Sequence, residues 1–335
     1  MIIAQNSIPK ITLASGEKIP CLGMGTFGSD RYAPKQVAKA VAGAIDCGYR
    51  FFDCASVYGN EDLIGEVLEE AIGKKGVKRE QLFVASKLWN DMHGDGDALV
   101  SCACSLRDLR LDYLDMYFVH WPFPNYHAPG CDGDSRNPDS KPFSADEFMS
   151  VWRQLEKLAD MGLTRHIGMS NMTIPKLEAV LGLCRIKPAA IEMEMHPGFQ
   201  QQELFRYCAE RGILPIGFCP IGSPGRPERD KTADDIADIQ MPEIVEIAAA
   251  HGLHPALVCI KWAVQRGVLP IPFSVHEEKY ISNLKCVTED PLTPDEMAAI
   301  GKADKNCRLI KGQVFLWEGA KGWEDLWDLD GFVVR

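Results

Sequence analysis

From residue 22 onward the chain alternates short apolar runs with longer stretches whose apolar residues recur at helical spacing. Strands are predicted over 22–24, 51–53, 82–87, 113–120, 165–170, 189–193, 214–218 and 268–271. Helices follow them over 35–47, 61–73, 97–109, 145–161, 174–183, 200–211, the pair 241–250 and 255–265, and from 277. The strand runs are continuously apolar, as strands buried on both faces must be. Strict alternation of strand and helix predicts a parallel sheet. An open doubly wound sheet fits the same pattern, but two features favour closure into a (β/α)8 TIM barrel. The count is eight, and polar residues recur at strand C-termini along the whole chain, not at one switch point. The chain is accordingly read as one α/β domain, 1–335.

Three segments fall outside the repeat. Residues 10–13 and 18–20 flank Ser15, Gly16 and Glu17 and predict an N-terminal β-hairpin that plugs one end of the barrel. Long βα loops over 121–144 and 221–240 follow strand C-termini, the face on which barrel enzymes build their sites. The tail from about 304 carries Phe315, Trp317, Trp323 and Trp327 among Gly and Asp, and is expected to dock over the barrel mouth.

Composition narrows the function classes. A net charge of −11 provides no basic face for nucleic acid or anionic membrane. There is no apolar run of 18 residues, and residues 1–6 lack the regions of a signal peptide. The twelve Cys contain no CxxC and scatter through predicted strands and helices, which reads as free thiols in a reducing cytoplasm. A monomer is the default expectation, with a dimer as the alternative.

The chemistry gathers around Gly48-Tyr49-Arg50-Phe51-Phe52-Asp53 and the loop that follows. Asp53, Lys87 and His120 close three successive predicted strands, and Tyr58 sits five residues beyond Asp53. A phenol beside an ammonium and an imidazole can protonate a carbonyl oxygen, because the positive neighbour favours the phenolate. Asp paired with Lys holds that ammonium charged and fixed. None of the four supplies hydride, so carbonyl reduction needs a borrowed cofactor.

Gly48-Tyr49-Arg50 with Asp53, Ala55, Glu61, Ile64 and Gly65, then Ser86-Lys87-Leu88-Trp89 and Val119-His120-Trp121-Pro122, resemble the signatures of the aldo-keto reductases over about residues 10–330. The resemblance implies a barrel that binds extended NAD(P)(H) without a phosphate loop. It implies a catalytic tetrad of Asp53, Tyr58, Lys87 and His120, with Tyr58 as general acid. Gly25 and Thr26, in Gly23–Gly28, fall beneath the nicotinamide. Ser170 and Asn171 match the pair that holds its carboxamide. Glu192 stands where a Gln completes that grip, and as a carboxylate it accepts but does not donate. Phe218 replaces a stacking Tyr, and Pro220, Ile221, Gly222 and Ser223 resemble the loop over the pyrophosphate.

The adenosine end is expected among Phe273, Ser274, Val275, Lys279 and Asn283. NADPH-preferring relatives carry Lys and Arg where this chain has Phe273 and Lys279. Losing one charge-assisted contact costs roughly 1.5–3 kcal/mol, so NAD(H) use or dual specificity is expected. Phe27, Trp89, Trp121, Phe123 and Trp317 are the expected substrate-pocket walls, with core packing as the competing reading. An aromatic mouth suits apolar carbonyls and sugars alike.

Other histidines read as structural. His196 precedes Pro197 at a strand end, and His251 and His254 have no Cys or carboxylate completing a metal set in sequence. Two further function classes stay open: a slow, cofactor-binding regulatory subunit of the same family, and an unrelated barrel such as an isomerase with a phosphate site.

Overall fold

The computed structural model describes residues 2–127 and 137–329. Part of the expected 121–144 loop (128–136) and the last six residues of the tail lie outside the described residues.

The hairpin forms as expected: β1 (Lys10–Thr12) pairs antiparallel with β2 (Lys18–Pro20). Eight parallel strands follow, each hydrogen-bonded to its neighbours in chain order: β3 (Met24–Gly25), β4 (Phe51–Asp53), β5 (Phe83–Leu88), β6 (Leu114–Val119), β7 (Thr164–Ser170), β8 (Ala190–Glu194), β9 (Leu214–Phe218) and β10 (Leu269–Pro270). The sheet curls until its edges meet. The Gly23 N–H donates to the Pro270 carbonyl at 3.0 Å, and the Gly25 N–H to the Pro272 carbonyl at 3.2 Å. β10 is shorter than the predicted 268–271, because Pro270 and Pro272 have no N–H to give a ladder. The first barrel strand lies at Met24–Gly25, slightly later than predicted.

Helices α1 (Pro34–Cys47), α2 (Glu61–Gly73), α3 (Asp97–Leu109), α4 (Ala145–Asp160), α5 (Ile174–Val180), α6 (Gln202–Ala209), α7 (Pro242–His251), α8 (Pro255–Arg266) and α9 (Glu277–Cys286) ring the sheet. One more, α10 (Pro294–Lys302), was not expected. Its start carries a capping box, with Thr293 accepting from the Glu296 N–H and Glu296 accepting from the Thr293 N–H.

Alternation along the strands sorts two cores. Phe52, Val84, Tyr117, Val119, Ile167, Met169, Ile191 and Met193 face outward beneath the helices. Phe51, Phe83, Ala85, Met116, Phe118, Ala190, Leu214, Ile216, Leu269 and Ile271 fill the barrel interior, where they meet Leu13 and Ile19 of the hairpin. The hairpin is therefore the plug of the N-terminal end. Its Glu17 is tied to His166 (2.7 Å) and Arg165 (3.0 Å). Gly168 is small because Phe118 needs the room. A Cβ there would lie 2.3 Å from the Phe118 ring.

The period of two then dictates the other end. Counting two residues on from Phe51, Ala85, Phe118, Gly168, Ala190 and Ile216 gives Asp53, Lys87, His120, Ser170, Glu192 and Phe218. These side chains form the top layer of the same packed interior.

Candidate active site

Lys87 is the centre of that layer and has no solvent exposure. Its Nζ donates to both carboxylate oxygens of Asp53 at 2.6 Å, to the Cys54 carbonyl at 3.1 Å and to the Tyr58 hydroxyl at 3.4 Å. Tyr58 arrives from a 3-10 turn, Ser56–Tyr58, that follows β4 and ends at Gly59 in the left-handed region (φ 61°). His120 comes directly after β6, anchored by its N–H to the Leu88 carbonyl at 3.1 Å. Its ring meets the Tyr58 ring edge-on, with centroids 5.9 Å apart. The structure thus brings Asp53, Tyr58, Lys87 and His120 to one rim.

The electrostatics follow from burial. Burial opposes the Lys87 charge, but Asp53, Glu192 and Tyr58 together hold its pKa well above the usual lysine value. Burial pushes the His120 imidazole well below its ordinary range, and Lys87 lowers it further, so the ring is neutral. The Tyr58 phenol departs from expectation. Burial raises it above the ordinary tyrosine value, and the opposing pull of Lys87 does not cancel that. Tyr58 is therefore a full proton donor at neutral pH, and Lys87 tempers the cost of its ionisation rather than producing a free phenolate.

Glu192, expected from the sequence at the carboxamide grip, also joins this cluster. Its Oε1 lies 3.5 Å from Lys87 Nζ, and its Oε2 is buried without a hydrogen-bond partner. Burial first, then the Asp53 charge, push it up to about 8. Asp53 is also raised by burial, but Lys87 grips both its oxygens, so Asp53 is the carboxyl of the pair that ionises. The signal for its place in the cluster was present in the strand period, two residues on from Ala190.

Two more buried polar atoms stand open nearby, Asn171 Oδ1 and His120 Nδ1. Asn171 holds a positive φ of 56°, and its Nδ2 donates to the His120 carbonyl at 2.9 Å and to Ser170 Oγ at 3.2 Å. Its backbone N–H donates to the Glu192 carbonyl at 3.0 Å, so the two side chains sit on adjacent strand ends. An amide group, with a donor and an acceptor side by side, fits open atoms of this kind.

The remaining predicted cofactor residues are placed as follows. Thr26 is fully buried and occupied: its hydroxyl donates to the Asp53 carbonyl at 2.8 Å and its carbonyl accepts from Asn60 Nδ2 at 2.9 Å. The hydroxyl ties Thr26 to the end of β4 beside Asp53. At Gly25 an added Cβ would lie 3.2 Å from the Ile271 carbonyl, so this glycine serves barrel closure. Phe218 ends β9 half-buried, followed by Pro220, Ile221, Gly222 and Ser223, with Gly222 (φ 70°) against Asp238. Phe273 follows β10 and meets the Tyr32 ring edge-on at 6.0 Å. Ser274 Oγ accepts from the His276 N–H at 3.1 Å; Val275 is half-buried, Lys279 exposed and Asn283 half-buried on α9.

The expected pocket walls divide. Phe27 packs on Tyr58 (5.1 Å between centroids), and Trp89 lies edge-on to His120 at 5.0 Å. Trp89 also shares a buried cluster with Trp121, Phe123 and the tail residues Phe315, Leu316, Leu326 and Trp327, and Trp317 packs on its rim. Among the described residues, Trp121 and Phe123 make no ring contact with a member of the tetrad, whereas Phe27 and Trp89 do. The tail is pinned by Asn125 Nδ2 on the Phe315 carbonyl (2.8 Å) and folded on itself by Trp327 Nε1 on the Lys311 carbonyl (2.9 Å).

Of the other histidines, His196 is fully buried between two carboxylates: Nδ1 lies 2.8 Å from Asp238 and Nε2 3.0 Å from Glu194. His251 pairs with Glu296 at 2.8 Å, and His254 caps α8 by accepting from the Ala256 N–H.

Comparison with known proteins agrees with this architecture. The family model described as "Aldo/keto reductase family" matches residues 21–305. An aldo/keto reductase of Synechocystis sp. is 39% identical over 324 residues, covering 96% of this chain and 97% of that protein. Aldo-keto reductase family 1 member A1 is 40% identical in Xenopus tropicalis over 301 residues (89% and 90%) and 36% identical in Homo sapiens over 302 (90% of each). A match across so much of both chains, on a closed eight-stranded barrel, places the protein in the aldo/keto reductase family.

Proposed function

We propose that this protein is an NAD(P)(H)-dependent oxidoreductase that interconverts an aldehyde or ketone, a sugar carbonyl among the options, with its alcohol. The observation that carries this reading is the Tyr58 hydroxyl 3.4 Å from a buried ammonium that Asp53 fixes through both oxygens. When bound, the dinucleotide supplies hydride from nicotinamide C4. Tyr58 gives its proton to the substrate oxygen as charge develops there, and Lys87 stabilises the resulting phenolate. Neutral His120 orients that oxygen with a ring nitrogen. Phe27 and Trp89 wall the reacting carbon from water. Asn171 and Glu192 would hold the carboxamide, and Phe218 would stack on the ring.

For the dinucleotide, the aromatic Phe273–Tyr32 contact at the adenosine end, with exposed Glu277 and Glu278 starting α9, favours NAD(H) or dual use. A 2′-phosphate would meet Lys279 as its one cation in this stretch.

Tyr58→Phe tests the reaction. Turnover should fall by about 10²–10⁴-fold, the scale of a lost general acid, with dinucleotide binding retained; a loss under tenfold removes Tyr58 from the role. Phe273→Lys tests the cofactor reading and should shift the affinity ratio toward NADP(H). A slow regulatory subunit is the second reading, favoured by the Glu192 and Phe218 replacements. Turnover over a panel of aldehydes, ketones and alcohols decides between the two.

A further inference from the structure

Charge counting at the rim leaves one proton unassigned. Lys87 is a single ammonium facing two carboxyls, in a volume where Asp53 and Glu192 are each only 3% exposed. Asp53 takes it through both oxygens at 2.6 Å, while Glu192 stands off at 3.5 Å with Oε2 unpartnered. Among the described residues, Lys87 is the one cation against Glu192. Around Glu192 the titratable groups are Asp53 from β4, Tyr58 from the turn after β4, Lys87 from β5 and His120 after β6, and the last is held neutral. β7 and β9 present Ser170, Asn171, Ile216 and Phe218, none of them charged. Two residues further along β8, Glu194 is engaged elsewhere, with His196 and the Leu309 and Ile310 N–H groups. One ammonium cannot balance two buried carboxylates, and Asp53 holds it more closely, so in the free protein Glu192 holds its proton.

We propose that Glu192 is a proton-carrying group matched to the charge of a bound nicotinamide ring, protonated beside the neutral reduced ring and ionised beside the cationic oxidised one. This rests on the reading above, in which the ring sits between Asn171, Glu192 and Phe218. With the reduced ring the site is balanced: Lys87 positive, Asp53 negative, Glu192 neutral. Oxidation adds one positive charge to the same dry volume, and Glu192, a far stronger acid than the Tyr58 phenol, is placed to answer it.

Lys87 joins the two acids, 3.4 Å from Tyr58 and 3.5 Å from Glu192. The proton count then closes within the site. Tyr58 loses its proton to the alkoxide oxygen, the Lys87 ammonium returns one to the phenolate, and Glu192 restores Lys87. Glu192 ends as a carboxylate beside the oxidised ring and takes a proton back from solvent when the oxidised dinucleotide leaves. A Gln at this position can both accept from and donate to an amide but has no proton to give.

The test is calorimetric titration of wild type and Glu192→Gln with oxidised and reduced dinucleotide at pH 7, in buffers of different ionisation enthalpy. In wild type the oxidised form should release up to about one proton per site and the reduced form none. Its affinity should rise by up to about tenfold per pH unit from 6 to 8. In Glu192→Gln the proton release and the pH slope should both vanish, whereas Tyr58→Phe should keep them, excluding the phenol as their source. Equal proton release in wild type and Glu192→Gln, or none in wild type, overturns the proposal while leaving the oxidoreductase reading intact. Failure of either dinucleotide to bind wild type overturns both.

Discussion

Lys87 sets the chemistry at the scale of single residues, because it holds three ionisable groups in register. Removing it leaves Asp53 and Glu192 buried with no cation between them. Lys87→Met should therefore lower turnover by at least about 10²-fold and also destabilise the fold, on the order of the 3–5 kcal/mol seen when a buried pair loses one partner. Lys87→Met with Asp53→Asn should recover much of that stability and none of the turnover. Urea midpoints of the single and double variants measure the first claim, and additive losses would count against it. Glu192 has its own signature in stability. Its folded pKa is raised to about 8 from an ordinary 4.5, so between those values the folded chain holds a proton that the unfolded chain has lost. Stability should fall as pH rises from about 4.5 to 8, then level off. Glu192→Gln should remove that part of the slope, and a wild-type urea midpoint that tracks the variant at every pH would show Glu192 ionised throughout. These charges were legible in sequence as residue types at strand ends. The Asp53–Lys87 pair was legible too, but not the approach of Glu192 to the same ammonium, which depends on how the strand ends converge.

Elements are positioned by close approach as much as by apolar pattern. Gly65 lies in α2 where that helix crosses α3, and a Cβ there would stand 2.0 Å from the Asp108 carbonyl. Backbone cannot swing aside as a long side chain would. Gly65→Ala should cost about 1–3 kcal/mol, the scale of overpacking, despite the gain in helix propensity. Gly73→Ala, in the same helix with nothing within 4 Å, should cost nothing. A comparison of the two melting temperatures checks this, and equal shifts would refute it. The sequence resolved α2 and α3 to the residue, because Asn60 and Gly96 precede clear amphipathic runs. It overran α5, which stops at Val180 while Leu181 and Leu183 continue into the turn, and α6, which spans only Gln202–Ala209. α10 went unread although Thr293, Pro294 and Glu296 spell a helix start, since attention to strand–helix units leaves no place for a helix after the last one. The two-residue strand β10 was overestimated because apolar character says nothing of missing N–H groups.

On the scale of the whole molecule, three parts distant in sequence meet at His196. It follows β8, its Nδ1 faces Asp238 of the 221–240 loop, and its Nε2 faces Glu194. Glu194 in turn accepts from the Leu309 and Ile310 N–H groups at 2.7 and 2.9 Å, which starts the tail on its path over the mouth. Arg308 lies over the Trp327 ring at 3.4 Å, beside the same carboxylate. The loop proposed to cover the pyrophosphate and the tail that closes the mouth are thus fastened to one imidazolium. Burial opposes its charge, but Asp238 and Glu194 raise its pKa to about 9. A histidine raised above its ordinary 6.5 contributes its full stability below that value and loses it as pH rises through 9. Local opening should follow the same course, because the carboxylates are left facing a neutral ring. Hydrogen exchange of 221–240 and 304–329 should therefore accelerate together above pH 9, relative to β5 and β6 as an internal reference for base catalysis. His196→Asn should reproduce the joint acceleration at pH 7. If one segment loosens while the other keeps its protection, the two are fastened separately, and the mouth and the dinucleotide loop open as independent lids.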